Sequence, residues 1–185
     1  MKKLNVCVLF GGVSPEHAVS LRSAESVLNN MDVEKYNIFP VGITRQGQWF
    51  LFGSTNNNLH PGGAWEDCAD NCPAVISPVR GEGLLIMGKE GVRQEKIDVV
   101  FPVLHGENGE DGSVQGLLQL AGIPYVGPHV SASAVSMDKT LTKLVADNAG
   151  VVQAAWKLVR SGEVSNHMQQ IVLHLEETFA YPMFV

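Results

Sequence analysis

Leu4-Asn5-Val6-Cys7-Val8-Leu9-Phe10-Gly11-Gly12-Val13-Ser14-Pro15-Glu16-His17-Ala18-Val19-Ser20-Leu21 is the stretch on which the fold turns. A run that is apolar except for Asn5 stops at a glycine pair, as a strand buried on both faces of a parallel sheet does. Beyond the glycines, Ser14 offers an N-cap oxygen, Pro15 suits a first helical position, and Glu16 favours the positive end of a helix dipole. Ala18, Val19, Leu21, Ala24, Val27, Leu28 and Met31 recur at steps of three and four, which predicts a helix to about Asn30. Residues 36–43 and 48–52 read as two strands around the turn Arg45-Gln46-Gly47. Strand, glycine turn, helix, strand is a βαβ opening.

Outward from that opening, residues 53–73 are polar, with Asn56-Asn57-Asn58 and Pro61-Gly62-Gly63, and read as an irregular connection. Short strands are expected over 74–76, 84–87 and around Val92, the last two hinged at 88–91. Residues 97–104 are the strongest parallel-strand candidate. A helix over 112–120 follows, with Val114, Leu117, Leu118 and Ala121 inward, then a short strand over 123–126. This alternation predicts an α/β fold built on a doubly wound, mostly parallel sheet. The rhythm then changes. A helix over 137–148 stopped by Gly150, a strand over 155–159, and an amphipathic helix over 163–178 striped by Met168, Ile171, Val172, Leu175 and Phe179 are expected. Tyr181-Pro182-Met183-Phe184-Val185 resembles a strand just begun, so the chain reads as part of a longer protein, with a domain over 1–136 and an incomplete one over 137–185.

Composition narrows the function. With 45% hydrophobic and 17% charged residues, the 185-residue chain is too apolar for disorder and long enough for a sizeable core. The formal charge of −6 argues against a phosphate-backbone binder, so no nucleic-acid partner is expected. No run approaches the ~18 apolar residues of a membrane span. Lys2-Lys3 before an apolar run imitates an export signal, yet the run is short and ends at glycines followed by charges. Three cysteines fit no disulfide framework, and a reducing cytoplasm is the expected location. Cys68 and Cys72, with His60 upstream, are read as ordinary loop thiols and not as a metal site, which would need a fourth ligand.

Two loops carry the chemistry. His105-Gly106-Glu107-Asn108-Gly109-Glu110-Asp111-Gly112-Ser113-Val114-Gln115-Gly116 follows the strongest strand, where ligands of open α/β sheets bind. It brings one imidazole and three carboxylates to a helix N-terminus; equally, it reads as a glycine loop with Asp111 as a helix cap. The second loop runs from Phe10 to Ser20 and opens on the same sheet edge. Its glycine turn suggests phosphate, but it lacks G-x-G-x-x-G, and Glu16 would repel an anion there. A carboxylate in that place suits a cation such as an amino-acid ammonium. His17 reads as a solvated or satisfied histidine.

Leu9-Phe10-Gly11-Gly12-x-Ser-x-Glu16-His17-x-Val19-Ser20, the segment 105–116, and Ser136-Met137-Asp138-Lys139 occur in that order. Together they resemble the N-terminal portion of the D-alanine–D-alanine ligases, a family that includes the D-Ala–D-lactate and D-Ala–D-Ser ligases of vancomycin resistance. The resemblance implies a pre-ATP-grasp domain followed by the beginning of an ATP-grasp domain. It also implies a cytoplasmic ligase of peptidoglycan-precursor synthesis that uses ATP, Mg2+ and D-alanine through an acylphosphate. A homodimer is expected from it. Glu16 then matches the catalytic carboxylate that holds the first D-alanine's ammonium, and His105 matches a histidine beside that substrate. Ser20 falls in the same motif and is grouped with them as substrate-binding; Lys139 matches a lysine that reaches the ATP phosphates. Glu110 and Asp111 either shape the loop or touch substrate. The family's Gly-Ser-Ser loop, magnesium carboxylates and second-substrate pocket are expected beyond Val185. By that resemblance the chain alone should be inactive, and a binding or dimerisation fragment is the alternative. Gln153 and Ala154 stand where the family often has a proline.

Overall fold

β1 (Leu4–Gly11) is the hinge of the whole sheet, hydrogen-bonded on both sides. The computed structural model describes residues 2–53, 59 and 65–184, so the tracts around Asn56-Asn57-Asn58 and Pro61-Gly62-Gly63, and His60, lie outside the described residues. The chain divides into two compact units, Met1–Met137 and Asp138–Val185.

In the first unit, β1 pairs in parallel with β2 (Tyr36–Ile43) along its full length, Leu4 opposite Tyr36 and Gly11 opposite Ile43. On its other side it pairs in parallel with β7 (Val99–Pro102), Val6 opposite Val99 and Leu9 opposite Pro102. Its side chains alternate with the pleat, and a helix over each face gives them two separate cores. Val6, Val8 and Phe10 face α1 (His17–Asn30) with Leu21, Ala24 and Leu28. Cys7 and Leu9 face α2 (Ser113–Ala121) with Val114, Leu118 and Ala121. That double burial explains the nearly unbroken apolar run. Burial also pushes the Cys7 thiol up, which keeps it an inert core group.

Beyond β2 the sheet changes direction. β3 (Trp49–Leu51), β4 (Cys72–Ile76), β5 (Leu84–Gly88) and β6 (Gly91–Glu95) extend it, each antiparallel to the one before, in the order β6-β5-β4-β3-β2-β1-β7. The α/β class and the winding of helices over both faces are as the sequence predicts, but the sheet is mixed and not mostly parallel. Loop length accounts for three of the four reversals: the links at 44–48, 77–83 and 89–90 can only reverse the chain, whereas a parallel return needs a crossover of about a dozen residues or more.

Other differences are local. The run 97–104 contributes only four paired residues, Val99–Pro102, and Val103 and Leu104 follow as buried side chains at the strand's exit. The strand expected over 123–126 is a single bridge, Val100 to Tyr125, and Pro124 has no N–H with which to lengthen it. α3 (Val130–Met137) was not expected; it is rich in serine and alanine and buries only Ser133, so it has no apolar stripe to betray it.

In the second unit, α4 (Lys139–Asn148) starts where Asp138 caps it, its Oδ1 accepting from the N–H groups of Thr140 (2.8 Å) and Leu141 (3.0 Å). Gly150, at φ +71°, turns the chain after it. The strands expected over 155–159 and at 181–184 are not formed; no described partner offers a ladder, and residues 151–160 instead return along α4, with the Trp156 indole donating to Asp147 (3.2 Å). α5 (Ser161–Thr178) follows and bends at His167, where φ is −140°. Among the described residues no helix is long and apolar enough to cross a membrane.

Candidate active site

The carboxyl ends of the parallel strands β1 and β7 place two loops side by side. At the end of β1, Gly11 (φ +85°) and Gly12 (φ +98°) swing the chain over β2, and the Gly12 N–H donates to the Ile43 carbonyl at 2.8 Å. A Cβ on Gly11 would lie 2.2 Å from that same carbonyl oxygen, so only glycine fits.

The turn that follows delays the helix. The Ser14 hydroxyl accepts from the Glu16 N–H (3.1 Å) and the Ser14 carbonyl from the His17 N–H (3.0 Å). Ser14 therefore closes a turn and is not the N-cap expected from sequence. Glu16 occupies the N-cap position, and its side chain makes no capping bond. Its carboxylate is exposed at the positive end of α1.

α1 starts with two buried polar side chains in place of the predicted Ala18 and Val19. The His17 Nδ1–H donates to the Gly12 carbonyl (2.6 Å), its ring stacks on Trp65, and its Nε2 lies 3.6 Å from Glu66. His17 is thus the satisfied histidine of the two alternatives, and it braces the glycine turn. Ser20 is fully buried; its hydroxyl accepts from the Gly11 N–H (2.8 Å) and donates to the Val103 carbonyl (2.5 Å). One side chain therefore ties the end of β1 to the exit of β7. Ser20→Ala should leave two buried backbone groups unpaired and lower unfolding free energy by about 2–4 kcal/mol. Urea denaturation checks this, and a loss below ~0.5 kcal/mol would contradict it.

The second loop leaves β7 through Leu104 and His105. Glu110 Oε2 accepts from the Gly106 N–H (2.7 Å), while Asp111 accepts from the N–H groups of Asn108 and Ser113, both at 2.9 Å. Partial burial raises the Asp111 carboxyl, but these backbone bonds outweigh it and hold the group below its usual range. Glu110 and Asp111 thus shape the loop. Gln115, also buried, donates to the Gly109 carbonyl at 2.8 Å. The half-buried His105 ring has Ser23 Oγ at 3.1 Å from Nε2 and Glu110 Oε1 at 3.7 Å from Nδ1.

The loops meet at Gly106. With φ +72°, a Cβ there would fall 2.5 Å from Ser14 Oγ and 2.7 Å from Glu16 Oε2. Glu16 therefore sits against the residue that follows His105, while Ser20, one helical turn further on, is buried beneath the two strand ends. Lys139, exposed at the first turn of α4, belongs to the other unit. A cavity of about 300 Å3 opens beside the same strand ends, between His105, Leu104 and Gly12 on one side and Ile43, Trp49 and Leu117 on the others. The sequence reading gave no site role to Trp49, Trp65 or Ser23. Only Ser23 carried a local signal, three residues after Ser20 on a predicted helix. Cys68 and Cys72 are not joined in a disulfide, and no group of three or more described His, Cys, Asp or Glu residues is placed to hold a metal ion.

An exposed carboxylate at a helix N-terminus, next to a glycine-lined turn and an imidazole, offers a negative charge with which a small cationic group can pair. A family model described as D-ala D-ala ligase N-terminus matches residues 5–128. The D-alanine–D-alanine ligase of Caldicellulosiruptor bescii is 45% identical over 186 residues, covering 100% of this chain and 50% of that protein. A putative D-alanine–D-lactate ligase of Streptomyces coelicolor is 50% identical over 152 residues, 82% of this chain and 42% of that protein. Among solved structures, the VanG D-Ala:D-Ser ligase from Enterococcus faecalis superposes with a TM-score of 0.82 at 36% identity, over 98% of this chain and 51% of that one. The chain spans about half the length of the curated relatives it matches.

Proposed function

Since the chain belongs to the family of D-alanine–D-alanine ligase N-termini, we propose that it supplies the first-substrate half of an ATP-dependent ligase that joins D-alanine to a second D-residue. The observation that carries this reading is the Glu16 carboxylate, exposed at the N-terminus of α1 and lying against Gly106 beside His105. Glu16 pairs with the ammonium of the first D-alanine, and the imidazole of His105 borders the same molecule. Ser20 acts from beneath, because both of its hydrogen bonds go to the backbone. In the family's chemistry ATP phosphorylates the D-alanine carboxylate, and the amine or hydroxyl of the second substrate attacks the acylphosphate. Lys139 contributes a cation for the ATP phosphates. The described residues do not fit a Mg2+ site, and no step is assigned to one. Cytoplasmic precursor synthesis for peptidoglycan, in a homodimer, is the setting this reading implies.

The test is a fusion of this chain to the C-terminal half of the Caldicellulosiruptor bescii relative. With ATP, Mg2+ and D-alanine, the fusion is expected to release ADP in a D-alanine-dependent way and form a dipeptide, while the 185-residue chain alone forms none. A folded fusion without D-alanine-dependent ADP release would refute the proposal.

A further inference from the structure

Each ring nitrogen of His105 faces one neighbour, and the two neighbours have different chemistry. Nδ1 lies 3.7 Å from Glu110 Oε1, while the other oxygen of that carboxylate is pinned by the Gly106 N–H at 2.7 Å. The carboxylate is restrained by that bond in its place beside the ring. It only accepts, so an Nδ1 lone pair facing it would be repelled and an Nδ1–H attracted. That leaves the Nε2 lone pair for the hydroxyl beside it, Ser23 Oγ at 3.1 Å, which then donates. Ser23 stands on α1, three residues beyond Ser20, whose own bonds fix that helix against both strand ends. The hydroxyl thus reaches the ring from a rigid element.

We propose that Ser23 is a positioning residue that fixes the ring orientation and the Nδ1–H tautomer of His105. A ring about one-third exposed would otherwise be free to turn between solvent and the cavity wall. With Ser23 donating to Nε2, the imidazole presents one fixed edge and one fixed face beside Glu16 and Gly106. The assignment follows the general rule that the partner of one ring nitrogen decides where the proton sits on the other. The benefit to D-alanine rests on the functional reading above; the tautomer does not.

Long-range 1H–15N correlations on the labelled 185-residue chain, recorded at a pH where the ring is neutral, read the tautomer directly. The wild-type chain should hold His105 mainly as Nδ1–H. Ser23→Ala should shift the balance toward Nε2–H by at least roughly 3-fold in the ratio, and Ser23→Thr, which keeps the hydroxyl, should restore it. Should Ser23→Ala fail to fold, Ser23→Cys, nearly the same shape with a weak donor, should shift the ratio the same way. A wild-type ring held mainly as Nε2–H, or a ratio unmoved by these variants, overturns the proposal. In the fusion, Ser23→Ala should raise the KM for the first D-alanine roughly 2- to 10-fold, the size of one neutral hydrogen bond, with rescue by Ser23→Thr. An unchanged KM there overturns the link to substrate. If instead the wild-type fusion turns over no D-alanine while the tautomer behaves as stated, the ligase reading fails and the positioning role stands.

Discussion

Gly11→Ala is expected to cost about 3–5 kcal/mol of folding stability. Two effects add. A non-glycine residue at φ +85° is strained by roughly 1–3 kcal/mol, and the new Cβ would lie 2.2 Å from the Ile43 carbonyl oxygen. That oxygen cannot retreat freely, because it accepts from the Gly12 N–H at 2.8 Å. The new methyl also comes within 3.1 Å of the His17 ring, whose bond to Gly12 braces the same turn. Gly81→Ala serves as the control. Its φ is +88° but nothing lies within 4 Å of the added Cβ, so it carries the strain without the collision. Urea unfolding of the two variants should separate them by at least ~2 kcal/mol. Equal losses would mean that the close approach of β1 to the Ile43 carbonyl is not what fixes the turn.

Glu16→Gln is expected to have the largest effect on chemistry. The side chain keeps its shape and loses its charge. If the first D-alanine's ammonium rests on this carboxylate, kcat/KM of the fusion should fall by about 2–4 kcal/mol, roughly 30- to 1000-fold. Stability should hardly move, since a carboxylate at a helix N-terminus is worth only about 0.3–1 kcal/mol and Glu16 makes no capping bond. A purely structural role predicts the opposite pattern, with activity kept and a small loss in thermal stability. Wild-type kinetics from the variant would remove Glu16 from the site.

How much of this was legible in the sequence depends on how far each feature reaches along the chain. β1 and α1 were legible because their signals are local: an apolar run, a glycine pair and a three-to-four repeat. The reversals from β2 to β3, β4 to β5 and β5 to β6 follow from links at 44–48, 77–83 and 89–90 that are too short for a crossover, whereas the long link between β3 and β4 permits either direction and gives no such signal. Ser14 was misread as the N-cap because a serine before proline suits both a cap and a turn, and the hydrogen bond to Glu16 N–H chooses the turn. Glu16, Ser20 and His105 stood out as motif residues, but what places their loops side by side did not. It lies in pairing over long separations: Ser20 reaches Val103, and Gly106 leaves room for Ser14 and Glu16. Ser20 illustrates the limit best, since its place in the motif suggested a ligand contact and its burial turns both bonds to the backbone. Trp65 was hidden for the same reason. It follows a polar stretch, yet it fills the space above Gly42, where a Cβ would sit 2.3 Å from its ring.

The pairing of Glu16 with a substrate ammonium is the centre of this account, and a cycle that removes each charge in turn tests it most directly. ADP release by the fusion is measured with D-alanine and with propionate, which has the same carboxylate and methyl-bearing carbon but no ammonium, for both wild type and Glu16→Gln. If the two charges meet, D-alanine should be preferred strongly by wild type, and Glu16→Gln should erase most of that preference, a coupling of about 2 kcal/mol or more. If Glu16→Gln lowers both substrates by the same factor, the charges act independently, and the ammonium is held elsewhere.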